Sequence, residues 1–230
     1  MSMMMPKLFV IENVANLLST THRAAFNKIM RSLRNIKMDD GSRAYHVCYK
    51  LVNSKDYGVP QSRSRVYIVG CRADVQTRSF RFPPPVHMRK IEDVLLDNAA
   101  APRAKLTATN RKNIAAAEQA ILLREGLDPR DVHAVVDAGS GRLNKEKPYM
   151  LSLSPTITRS RASAGDYWAT WLNRKLNNDD MLRLQGVSPD EINFGTLSRR
   201  QVGALIGNAM TLPVLQAILQ EGLRVVGLIP

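Results

Sequence analysis

"VNSKDYGVPQSRSRVYIVGCR", residues Val52–Arg72, decides how the chain is read. Its second half, "VYIVG" (Val66–Gly70), is almost wholly apolar and reads as a buried strand. A Gly-Val-Pro turn precedes it, and Arg63 and Arg65 stand two residues apart at its mouth. Residues two apart in an extended chain point to one side, so the two guanidiniums are expected about 7 Å apart on a shared face. Ser62 and Ser64 then point the other way, and Gln61 adds an amide beside them. Such a face can grip a base carbonyl, a phosphate or a carboxylate with forked donors. The bland alternative is a surface ion-pair strip, which contributes little stability.

Upstream, "KLFVI" (Lys7–Ile11) is a short apolar run, expected as a buried strand of a parallel sheet. Polar Glu12 and Asn13 follow it. Open α/β sheets place ligands at the carboxyl ends of their strands, and a carboxyl group there can hold or donate a proton to a ring nitrogen. A helix is expected over Thr21–Ile36 with Ala25, Ile29 and Leu33 on one face, then a strand over "YHVCYKLV" (Tyr45–Val52). Strand, helix and strand in this order predict an α/β fold.

Downstream, "FRFPPPV" (Phe80–Val86) places three prolines in a row, which no regular element survives. A domain boundary is set there. A helix is expected over Arg111–Glu125, with Ile114, Ala117, Ile121 and Leu122 on one side and Gly126 as its stop. Asp128–Gly141 reads as loop, "NKEKPY" (Asn144–Tyr149) as a basic solvated loop, and "LSLSPTITRSRASAG" (Leu151–Gly165) is rich in Ser, Thr and Arg. Trp168 and Trp171 read as core anchors of this lobe. Near the end, Gly186 closes a helix begun around Asn178. "SPDE" (Ser188–Glu191) and "SRRQ" (Ser198–Gln201) have the capping-box form, and Pro213 opens a last helix.

The 230 residues carry 33 Lys and Arg against 20 Asp and Glu, a net charge of +13, which points to a polyanionic partner and first to nucleic acid. No apolar run approaches the ~20 residues of a bilayer span, and no signal peptide is read at the start. The two cysteines, Cys48 and Cys71, make neither a disulfide framework nor a zinc pattern, and both read as packing residues. The four histidines lack metal spacing, so no metal is assigned.

The order of these features resembles the C5-cytosine DNA methyltransferases. "FVIENV" looks like the family's sixth motif, and "LVNSKDYGVPQSRSRVYIVGCR" resembles the seventh and eighth. "RKLNNDDMLRLQGVSPDEI" (Arg174–Ile192) is similar to the ninth, and "IGNAMTLPVLQAI" (Ile206–Ile218) to the tenth. "SPTITRS" (Ser154–Ser160) looks like the Thr-containing segment late in the target-recognition region. The resemblance implies the second part of a Rossmann-like methyltransferase sheet (residues 1–81), an inserted, mostly irregular target-recognition lobe (82–196) and closing helices (197–230). It implies methyl transfer from S-adenosylmethionine to carbon 5 of a flipped-out cytosine in duplex DNA. Glu12 matches the glutamate at the base's N3 and exocyclic amine, Arg65 an arginine at its O2, and Arg63 a neighbouring pocket arginine. Asn208 falls where the tenth motif approaches the cofactor. Gln61, Thr156 and Thr158 are expected at the DNA, with Arg159 and Arg161 on phosphates.

The family's glycine-rich cofactor loop and its Pro-Cys dipeptide, which supplies the nucleophile, do not occur in this sequence. The chain is therefore expected to act with a complementing chain or segment that bears them, and to be inactive alone. A non-catalytic DNA-binding or regulatory subunit and a tRNA-modifying relative are the alternatives.

Overall fold

The computed structural model describes residues 4–96, 105–139 and 148–230. Most of the basic "NKEKPY" stretch lies outside them. In chain order the elements are β1 (Leu8–Val14), α1 (Arg23–Arg34), β2 (Tyr45–Asn53), β3 (Ser64–Arg72), α2 (Ile91–Val94), α3 (Ala108–Glu125), β4 (Ala134–Asp137), β5 (Met150–Leu151), α4 (Arg159–Ala164), β6 (Tyr167–Ala169), β7 (Arg174–Lys175), α5 (Asn178–Leu184), α6 (Arg199–Asn208) and α7 (Leu212–Val225). They fall into two compact units. The first takes residues 1–53, 64–85 and 214–230; the second takes 54–63 and 86–213.

In the first unit, β3 is the middle strand of a β1-β3-β2 sheet and runs antiparallel to both neighbours. The expected parallel sheet is thus corrected. β1 and β2 do point the same way, but they never pair. A central strand covered on both faces reads as an unbroken apolar run whatever its neighbours' direction, which is why the sequence pattern misled. Six consecutive residues of β3, Val66–Cys71, are buried. On one face Phe26 and Met30 of α1 pack on Val66 and Ile68, with Ile29, Leu33 and Val47 around them. Ala25, expected on this face, is exposed. Near the chain's end, Thr77 N–H donates to Val225 O at 2.8 Å, and Arg78 forks onto Glu221 at 2.6 and 2.9 Å.

The second unit is more regular than expected. It holds an antiparallel sheet of order β5-β4-β6-β7. None of these strands exceeds four residues, too short for alternation to register in sequence. Alternation is nonetheless what builds the core. Ala134 and Val136 face Ile114, Ala117 and Ile121 of α3, and Trp168 joins them. Val135 faces the opposite side, with Tyr167, Ala169, Leu176, Met181 and Ile206. Leu122, assigned to the buried side of α3, is 56% exposed. Thr107, Asn177 and Ser198 each cap their helix with a reciprocal capping box. Ser188 makes no such bond, and "SPDE" forms only a short 3-10 turn. Among the described residues no single helix is long and apolar enough to cross a membrane.

α6, grouped by the sequence with the closing helices, packs on α4 and α5 within the second unit. Two glycines one turn apart allow this. A Cβ on Gly203 would lie 2.4 Å from Ala162 O, and one on Gly207 would lie 2.5 Å from Arg159 Cα. Both obstacles are backbone, so they cannot swing away. Gly207→Ala is expected to cost roughly 1–3 kcal/mol through overpacking, read as a lower denaturant midpoint with an unchanged slope.

Candidate active site

Register places Glu12 beside Arg65. Glu12 pairs with Tyr67 and Val14 pairs with Arg65 across β1 and β3. Glu12 and Arg65 are therefore diagonal neighbours on one face of an antiparallel pair, within reach of long side chains. β1 continues to Val14, so Glu12 sits inside the strand rather than just past its end. Arg65 Nε lies 3.0 Å from Glu12 Oε1, and the two side chains are only 15% and 20% exposed. Arg65 Nη1 also donates to Ser64 O at 2.8 Å. Glu12 Oε2 and Arg65 Nη2 have no hydrogen-bond partner among the described residues. An acceptor and a guanidinium donor thus remain available side by side.

Arg63 does not share that face. It precedes β3, belongs to the second unit and is 3% exposed. Its Nη1 donates to Ile157 O at 2.6 Å, and its Nη2 to Ala209 O at 2.9 Å and Gly207 O at 3.4 Å. Sequence spacing pairs the two guanidiniums, but the extended run begins only at Ser64. Arg63 is a tie between the "SPTITRS" segment and the end of α6.

Gln61 is likewise no surface contact. It is fully buried; its amide donates to Leu184 O at 2.7 Å, and its carbonyl accepts from Ile157 N–H at 3.1 Å. Around it lies a buried polar knot that sequence reading missed. Thr211 Oγ1 donates to Gln185 Oε1 at 2.9 Å and meets Ser54 Oγ at 3.0 Å, while Gln185 Nε2 donates to Ile206 O at 3.0 Å. Gln185 and Thr211 lie in the stretches that resemble the ninth and tenth motifs. That was the only signal, since buried Gln and Thr carry no periodic mark.

The expected DNA contacts divide. Thr156 spends its hydroxyl on Ser62 O at 2.6 Å. Arg161 is held by Asp137 at 3.1 Å and faces Asp166 at 4.0 Å, so it is engaged by acids rather than offered to phosphate. Thr158 and Arg159 are exposed and line an open groove of about 980 Å3 with Ser163, Ser198 and Arg200. Arg200 was also missed. Its signal was available: a cation in the first turn of a helix opposes the helix dipole, an unfavourable choice unless an anion is to be met. Asn208 stands exposed at the end of α6.

Cys71 packs as expected, whereas Cys48 is only partly buried. Cys71 is 1% exposed, and burial, helped by Cys48 and Glu221, pushes its thiol up to about 11. Burial also raises Cys48. A thiol in that state is a poor nucleophile near neutrality. Iodoacetamide at pH 7.5 is expected to leave Cys71 unmodified in the folded chain and to label it fully in denaturant, as read by mass spectrometry.

The sequence model described as C-5 cytosine-specific DNA methylase matches residues 2–224. The chain belongs to that family. It is similar to the type II methyltransferase M.NgoBI of Neisseria gonorrhoeae, with 30% identity over 92% of this chain and 59% of that protein. It is also similar to M.HhaI of Haemophilus parahaemolyticus, with 27% identity over 93% of this chain and 62% of that protein. The chain thus spans about three-fifths of these methylases. A solved structure of a putative DNA modification methyltransferase encoded within a prophage in E. coli is alike in fold, with a TM-score of 0.62 at 16% identity, covering 96% of this chain and 70% of that one. Of the residues singled out from the sequence, Glu12, Arg65, Thr158, Arg159 and Asn208 keep polar atoms accessible.

Proposed function

We propose that the chain is the carboxyl-terminal part of a DNA (cytosine-5-)-methyltransferase, and that Glu12 and Arg65 receive the flipped-out base. The observation that carries this is the 3.0 Å contact between the two side chains, each with one polar atom left over. Cytosine's Watson–Crick edge offers an amine donor, N3 and the O2 acceptor. Glu12 accepts from the amine or gives a proton to N3, and Arg65 donates to O2. When a thiolate adds to carbon 6, electrons move toward N3 and O2, and both side chains then stabilise the charge that develops. After methylation at carbon 5, loss of the proton there and departure of the thiolate restore the ring. Arg63 supports the site as a tie within its own unit; Thr158, Arg159 and Arg200 meet the sugar–phosphate backbone.

S-adenosylmethionine is the methyl donor in this reading. The described residues offer it one accessible polar side chain, Asn208, which alone is not a cofactor site. The remaining contacts and the nucleophile are assigned to a complementing chain or segment bearing the glycine-rich loop and the Pro-Cys dipeptide. The test is to mix the chain with such a partner and S-adenosylmethionine, then assay 5-methylcytosine in duplex DNA and in tRNA. Methylation of the duplex only with both parts present is expected. Methylation of tRNA alone would transfer the chain to the RNA branch, and duplex binding without methylation would make it a binding subunit.

A further inference from the structure

A second basic concavity lies in the first unit, on residues that the methylation reading does not use. Arg34 ends α1, Arg43 stands in the turn before β2, and His46 and Cys48 project from alternate positions of β2 to the same side. Ser79 and Phe80 also line it, and the open concavity holds about 540 Å3. That is the size of a small-molecule or nucleotide pocket.

Its charge is unusual. No Asp or Glu lines it. Arg78 is present but forks onto Glu221, which compensates it. Arg34 and Arg43 have no ion pair and no side-chain hydrogen bond among the described residues. Two guanidiniums facing one cavity repel each other, and their five-donor forks match tetrahedral oxyanions better than water does. The Ser79 hydroxyl stands exposed at the rim as a further donor. Gln76 also lines it, and its amide donates to Arg78 O at 2.8 Å.

We propose that this concavity binds a phosphate ester, with Arg34 and Arg43 as its two charged contacts and Ser79 as a neutral one. The phosphate comes either from the backbone of duplex DNA bound away from the methylated base or from a small phosphorylated molecule. Apolar Phe80 on the wall suits the organic part of either.

The experiment compares the full chain with an Arg34→Gln/Arg43→Gln double variant, using a short DNA duplex in one arm and inorganic phosphate in the other. If DNA supplies the phosphate, the variant binds the duplex more weakly. The slope of log affinity against log salt then falls in magnitude by about 2, since each lost phosphate contact removes roughly 0.9. If a small phosphate is the ligand, titration with inorganic phosphate saturates in the wild type and not in the variant, with the duplex arm unchanged. Ser79→Glu, at an exposed position, leaves both arginines and the packing in place and sets a carboxylate beside them. It should weaken the same arm, and it decides alone should the double variant not fold. Wild-type behaviour of the variants in both arms overturns the proposal. The duplex arm rests on the DNA-methyltransferase reading: a wild type that binds no duplex sinks that reading, while the phosphate arm still judges the pocket.

Discussion

Replacing Glu12 by glutamine in the complemented enzyme is expected to lower methyl transfer roughly 100- to 10,000-fold while duplex binding is retained. Gln keeps the shape and can still meet Arg65, but it has no acidic proton for N3 and cannot answer charge moving onto the ring. The loss should fall on kcat rather than KM, because the interaction strengthens only as the thiolate adds. Single-turnover rates with a saturating duplex read this directly, and anisotropy of a labelled duplex checks the binding. Unchanged turnover in Glu12→Gln would reduce the residue to a partner of Arg65 within the sheet.

Arg63→Met is expected to act in the other way. It removes a buried guanidinium that serves the carbonyls of Ile157, Gly207 and Ala209. Met matches the stem's volume but leaves acceptors unsatisfied in a dry site, at a cost of about 3–5 kcal/mol. For a chain of this size that lowers Tm by roughly 10 °C. Calorimetry of the chain without DNA or cofactor reads the effect, which a pocket-wall arginine with no structural duty would not produce. Lysine is not expected to rescue it, because one ammonium cannot reproduce the fork that reaches two segments.

Arg63 and Arg65 show how far sequence reaches. The resemblance brings Arg65 to the same base as Glu12, and the structure shows the two side chains in contact across the β1–β3 pair. Arg63 is one residue outside that strand, and spacing rules for extended chain did not apply to it. The elements of the first unit, together with α3, α5 and α6, were legible because caps and apolar faces mark them. Strand direction was not, since a doubly covered strand looks the same in either orientation. The small sheet of the second unit was invisible because its strands are two to four residues long. Of the residues that the resemblance brings to the DNA, Gln61 is fully buried, Thr156 bonds to Ser62 O, and Arg161, a third exposed, pairs with Asp137. Residue type in a basic chain does not separate a phosphate contact from a tie within the fold; partners and burial do.

A double-mutant cycle on Glu12 and Arg65 tests most directly whether the two side chains serve one base. Methyl transfer by the complemented enzyme is measured for wild type, Glu12→Gln, Arg65→Met and the double variant. The double variant should be little worse than Glu12→Gln alone, with a coupling of about 1–3 kcal/mol between the sites. Losses that simply add would mean that the two groups act on separate steps, and the shared pocket would be wrong.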